Sequence, residues 1–166
     1  MKEPENCLGI SLGMRRIGIA VGTKDSLLEK QVKGFDDRFN EAKIEKICRM
    51  VDRMITLYGV TAIAMKAPGH LRRNKALNAT IASLSVLATN RDIPLMLYDI
   101  TTLENSLINS TRKSKARLAS SLVHHYPELQ RFYGKIDIKN RKGLSYLRLF
   151  EAVAAMKLFL DTAKKR

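Results

Sequence analysis

The apolar positions of this chain come first as short unbroken runs and later at helical spacing, and the change of period marks out the elements. Cys7, Leu8 and Ile10, then Ile17, Ile19, Ala20 and Val21, read as two short strands joined by a turn over Leu12 to Arg16 that contains Gly13. A β-hairpin is expected to open the domain. Leu27 to Phe35 is expected as a third antiparallel strand, although its apolar and polar positions alternate poorly. Asp36 and Asp37 stand where an N-cap and a first-turn acid belong. From there Phe39, Ile47, Met50, Val51, Met54, Ile55 and Tyr58 recur at helical spacing up to Gly59, which predicts a long amphipathic helix with a glycine stop.

Val60 to Met65, apolar and free of turn residues, predicts a buried strand closed by Lys66, Ala67, Pro68 and Gly69. A second helix is expected over about Leu71 to Asn90, a short strand over Ile93 to Tyr98, and a short helix over Thr101 to Ser110 capped by a Thr. Arg112 to His125 reads as a helix with Leu118, Leu122 and His125 on one side, broken at Tyr126-Pro127. Gln130 to Lys142 has no clear period and is read as a mobile loop. The last helix, about Leu144 to Ala163, is expected to turn Leu147, Phe150, Ala154 and Leu158 inward. The order predicts an α/β fold. A mixed five-stranded sheet, an antiparallel three-strand meander followed by two helix-connected parallel strands, would carry helices on both faces.

Length and composition fit one domain over residues 1–166, since 45% hydrophobic residues suffice for a real core. The polar start, Met1 to Asn6, leads directly into a strand, and no apolar run is long enough to span a bilayer, so the expected location is cytoplasmic with no membrane partner. Cys7 and Cys48 lack metal-ligand spacing and read as reduced core residues. His70, His124 and His125 likewise show no ligand spacing.

Charge changes the picture more. Thirty Lys and Arg against 16 Asp and Glu give a net +14, with a sequence pI near 10.0. The bases cluster: between Thr111 and Arg148 there are ten, at 112, 113, 115, 117, 131, 135, 139, 141, 142 and 148, against Glu128 and Asp137 alone. Such clustering points to a phosphate-rich partner, because each phosphate contact by Lys or Arg releases condensed counterions. Aromatic residues are only 6%, which favours backbone and shape recognition over base stacking.

The segment Gly9-Ile10-Ser11-Leu12-Gly13, continued by Arg16-Ile17-Gly18-Ile19-Ala20-Val21, resembles the first motif of the RuvC-type Holliday junction resolvases, and especially their YqgF branch, within the RNase H-like superfamily. In that motif, Gly-hydrophobic-Asp-x-Gly, the Asp carries a divalent metal. Ser11 occupies the Asp position. The resemblance implies a pair of divalent ions, Mg or Mn, about 3.5 to 4 Å apart, held by converging carboxylates. Its second acid in the RuvC pattern ends the fourth strand, where this chain has Met65 or Lys66. In the YqgF pattern it lies in Asp-Glu-Arg-Leu-Thr-Thr, where this chain has Asp99-Ile100-Thr101-Thr102. The third place is kept, for Phe150-Glu151-Ala-Val-Ala-Ala is similar to the family's closing Asp-Ala-x-Ala-x-Ala helix; a further Asp one turn earlier is replaced by Arg148.

The resemblance therefore implies Glu151 and Asp99 as vestigial or substitute catalytic acids, with Ser11 and Lys66 at lost acid positions. Glu151 has a second reading, an i, i+3 pair with Arg148. Lys115, within Arg112-Lys113-Ser114-Lys115-Ala116-Arg117, resembles the family's basic patch. Candidate nucleic-acid contacts are Arg15, Arg16, Lys66, Arg72, Arg73, Lys75, Arg112, Lys113, Lys115, Arg117 and Arg148. Three substitutions that each remove negative charge, Ser11, Lys66 and Arg148, would make an anionic pocket cationic. The first expectation is a nucleic-acid-binding protein, on branched DNA or structured RNA, without cofactor and catalytically inactive, with homodimerisation open. The alternative is an active Mg- or Mn-dependent endonuclease, a Holliday junction resolvase or pre-rRNA-processing nuclease, that recruits Asp99, Glu151 and Asp25 or Asp137.

Overall fold

The computed structural model describes residues 6–35, 40–69, 75–137 and 139–163. Three strands come first: β1 (Cys7–Leu12), β2 (Arg16–Gly22) and β3 (Leu27–Gly34). They are followed by α1 (Glu41–Tyr58), β4 (Ala62–Lys66), α2 (Lys75–Asn90) and β5 (Leu95–Tyr98). Four helices close the chain: α3 (Ile100–Leu107), α4 (Lys115–His125), α5 (Gln130–Tyr133) and α6 (Arg141–Ala163). The strands form one sheet in the order β3-β2-β1-β4-β5, with β1, β2 and β3 antiparallel and β4 and β5 parallel to β1. This is the mixed sheet that the apolar runs predict.

Strand residues alternate between faces, and here the alternation separates large side chains from small ones. Leu8, Ile10, Leu12, Ile17, Ile19, Val21, Ile63 and Met65 form one core with α1 and α2. The other face presents Cys7, Gly9 and Ser11 from β1, Gly18 and Ala20 from β2, and Ala62, Ala64 and Lys66 from β4. Against it lies α6. A Cβ on Gly9 would collide with the Ala152 carbonyl oxygen, and one on Gly18 with the Arg148 carbonyl oxygen, so the helix backbone rests directly on the strands. On its outer side α6 is covered by α3 and α4. Residues 149–156 are therefore all buried, and the one-sided stripe expected for this helix is corrected to a helix sandwiched between two layers. Leu147 and Leu158 are only half-buried.

Several boundaries also differ from the pattern. Asn40 caps α1, its side chain accepting from the Lys43 amide at 2.9 Å, while Asp36, Asp37 and Phe39 lie outside the described residues. Gly59 ends α1 in the left-handed region, φ 58°, as a glycine stop should. The start of α2 was expected at Leu71, which lies outside the described residues. Asp99, not a Thr, caps α3, and Ser114 caps α4, which begins three residues later than expected. His125 is exposed rather than packed beside Leu118 and Leu122; its ring lies 2.9 Å from the Lys24 carbonyl. In the stretch read as a mobile loop, Pro127–Leu129 makes a 3₁₀ turn, Gln130–Tyr133 forms α5, and α6 already starts at Arg141. These turns are too short to show a period, yet Leu129 is fully buried and Tyr126 donates to the Thr23 carbonyl at 3.1 Å. Cys7 is buried and Cys48 half-buried, both free thiols pushed up in pKa chiefly by burial.

Candidate functional site

The end of the small-residue face is polar. Ser11 on β1 is in register with Gly18 on β2 and Lys66 on β4, and the close seat of α6 brings Glu151 down between them. Ser11 donates to Glu151 Oε1 at 3.4 Å, and Lys66 Nζ lies 3.0 Å from Oε2. Lys115 Nζ approaches Oε2 to 3.9 Å from the first turn of α4, and Arg148 Nη1 approaches Oε1 to 3.9 Å from one turn earlier on α6. The i, i+3 pair and the convergent site are thus both present. Glu151 is 2% exposed and Lys66 6%, whereas the Lys115 side chain is 42% exposed. Lys66 is a buried ion-pair partner, and Lys115 stands at the mouth.

The ambiguity between Met65 and Lys66 is resolved by strand parity: Met65 packs on the α1–α2 face, and Lys66 points to α6. Burial lowers the Lys66 pKa; the Glu151 charge opposes that shift, and Arg148 and Lys115 add to it. Arg148 is fixed by its own backbone contacts. Its Nη1 donates to the Leu12 carbonyl at 3.2 Å, and its guanidinium lies flat over Gly13, where a Cβ would come within 2.8 Å of Nε.

A cavity of 680 Å³ opens beside this cluster, lined by the hairpin turn Gly13 to Arg16, by Gly34, by Lys115, and by Leu144, Ser145, Leu147, Arg148 and Glu151 of α6. Arg15 and Arg16 therefore join Lys115 and Arg148 on its wall, with Lys66 behind Glu151. Among the described residues, five cations face one carboxylate. The turn itself is held by Gly13 N–H to the Arg16 carbonyl at 3.0 Å and by Lys43 of α1, whose Nζ donates to the Met14 carbonyl at 2.7 Å. Lys43 was missed in the sequence. Its signal was a lysine on the apolar stripe of α1, four residues before Ile47, where it is 3% exposed.

Other candidates are placed elsewhere. The Asp99 carboxylate accepts from the Thr102 amide at 2.7 Å as the cap of α3. Asp25 is exposed in the β2–β3 turn, and exposed Asp137 accepts from the Lys139 amide at 2.9 Å. Lys113 Nζ donates to the Ile108 carbonyl at 2.6 Å, Arg117 Nη1 to Ser110 Oγ at 2.9 Å, and Arg112 is exposed in the same loop; none of the three lines the cavity. Lys75 is exposed at the start of α2, and Arg72, Arg73 and His70 lie outside the described residues.

A divalent metal does not fit this donor set. Mg and Mn demand several oxygens converging on one point. Here one carboxylate and one hydroxyl meet three cationic side chains, and the ammonium of Lys66 already holds the position nearest the carboxylate. Among the described residues, no group of three or more His, Cys, Asp or Glu could hold a metal ion. No described helix is long and apolar enough to cross a membrane.

Comparison with solved structures bears out the fold. The chain is similar to RuvC of Thermus thermophilus in complex with Holliday junction substrate, at a TM-score of 0.72 and 16% identity over 96% of this chain and 95% of that one. It is also similar to the fowlpox virus Holliday junction resolvase, at 0.54 and 11% over 97% and 99%, and to the same resolvase bound to Holliday junction DNA, at 0.55 and 11% over 94% and 99%. The fold is RuvC-like and RNase H-like. No family model and no curated protein sequence matches the chain.

Proposed function

We propose that this RuvC-like fold is a nucleic-acid-binding protein that engages branched DNA or structured RNA through its phosphate backbone and does not cleave it. One observation carries the reading: Ser11, Lys66 and Arg148 surround Glu151 at the place where the resemblance puts metal-binding acids. A nuclease of this fold needs negative charge there to collect its metals. This site has cations instead, and the cavity beside it adds Arg15, Arg16 and Lys115. The two junction-bound structures of similar fold support a branched nucleic acid as the ligand class.

The test is a titration of four-way-junction DNA, duplex DNA and structured RNA at several salt concentrations, with EDTA or Mn²⁺, scoring binding and cleavage together. Steeply salt-dependent binding without strand scission in either condition is expected. Scission that requires Mn²⁺ and is lost in Glu151→Gln would overturn the reading in favour of a working endonuclease.

A further inference from the structure

We infer that Lys66 is a tethered cation standing in for a metal, and that by neutralising Glu151 it leaves Arg148 and Lys115 to seat one backbone phosphodiester in the cavity without any metal ion. This rests on the proposed nucleic-acid binding and specifies its site. The distances rank the three cations around the carboxylate. Lys66 sits at 3.0 Å and is buried, whereas Lys115 and Arg148 both sit at 3.9 Å and face the opening. One carboxylate is matched by the nearest ammonium, so two positive charges remain in excess at the wall of a cavity. Among the described residues Glu151 Oε2, fully buried and 3.0 Å from the Lys66 ammonium, accepts no hydrogen bond of good geometry, so the carboxylate is held by charge rather than by a saturated network of donors.

The seat is also preorganised. Arg148 is pinned between the Leu12 carbonyl and the Gly13 backbone, so its guanidinium need not be ordered when an anion arrives. A planar fork of donors beside a movable ammonium suits the oxygens of a phosphodiester. Glu151 and Lys66 act here as positioning residues; Arg148 and Lys115 make the contact.

The experiment measures binding of a fluorescein-labelled four-way-junction DNA, and of a structured RNA, in EDTA against salt. It compares the wild type, Lys115→Met, Arg148→Met, Lys66→Met, and a control, Arg53→Met, on the exposed surface of α1. Circular dichroism confirms folding of each. For whichever backbone binds, Lys115→Met and Arg148→Met should each weaken binding and flatten the slope of log K against log salt by roughly 0.9 for DNA or 0.7 for single strands. Lys66→Met should weaken binding too, because the unneutralised Glu151 then holds Arg148 and Lys115; Arg53→Met should keep the wild-type slope, and Mn²⁺ at matched ionic strength should leave the wild-type affinity unchanged. If the wild type binds steeply while Lys115→Met and Arg148→Met both keep its slope, or if binding requires Mn²⁺, the seat is refuted and the nucleic-acid reading survives. A wild type that binds neither probe at low salt refutes that reading, and the seat with it.

Discussion

The two faces of the central sheet are built to opposite rules. Toward α1 and α2, Leu8, Ile10, Ile19, Ile63 and Met65 hold the helices off with bulk, each buried side chain contributing roughly 1.5 to 3 kcal/mol. Toward α6, Gly9, Gly18, Ala20 and Ala64 offer almost no side chain, and the helix backbone fills the space instead. The first face can absorb a change of one methylene by repacking. The second cannot, because what stands opposite each missing Cβ is a carbonyl. Only the second can deliver a backbone-borne group such as Glu151 to within hydrogen-bonding range of a strand residue such as Ser11.

The largest effect expected from breaking this contrast is at its polar end. Glu151→Gln leaves Lys66 buried beside Arg148 and Lys115 with no anion, and should destabilise the fold by about 3 to 5 kcal/mol in urea unfolding. A loss near zero would mean that the cluster is solvated in solution. Gly18→Ala should cost about 3 kcal/mol or less by pushing the Arg148 carbonyl away, and under the proposed function it should weaken nucleic-acid binding as well, since Arg148 moves with it. On the opposite face, Ile19→Val removes one fully buried methylene and should cost only about 1 kcal/mol, with any nucleic-acid binding unchanged. Equal penalties for the two substitutions would erase the distinction between the faces.

The smallest effect is the pH dependence contributed by Lys66. Burial lowers its pKa below the ordinary 10.5, so in the interval between the two values the unfolded chain binds the proton that the folded chain has released. Stability should therefore rise with pH across the interval below 10.5. Lys66→Met should lose that rise, which urea melts at stepped pH would show.

Much of this was legible in the chain. The unbroken runs at 7–10 and 17–21, and the run at 60–65 from Ala62 on, are strands because both faces of the central strands are covered, and the spacing of Leu147, Glu151 and Ala154 puts Glu151 on the sheet side of α6. What stayed hidden depends on partners remote in sequence. Whether Lys66 or Met65 faces the site is a question of strand parity, settled only by pairing with Ser11. That the Asp99 carboxylate accepts from the Thr102 amide as the cap of α3 is likewise not readable from a strand-to-helix junction in the sequence, where a capping and a metal-binding carboxylate look alike. Lys43 reads as a fault in an amphipathic stripe until the hairpin turn it holds is in view. Helix α5 is one turn long, below the length at which any periodicity can be read.

The ion pair between Lys66 and Glu151 has a consequence for supply. A metal centre is filled and emptied by exchange with the surroundings, and its occupancy follows the free ion concentration and the presence of chelators. An ammonium on a strand arrives with translation, in a fixed ratio of one to one, and no chelator can withdraw it. The charge at the heart of this site is thus insulated from metal starvation and metal excess alike.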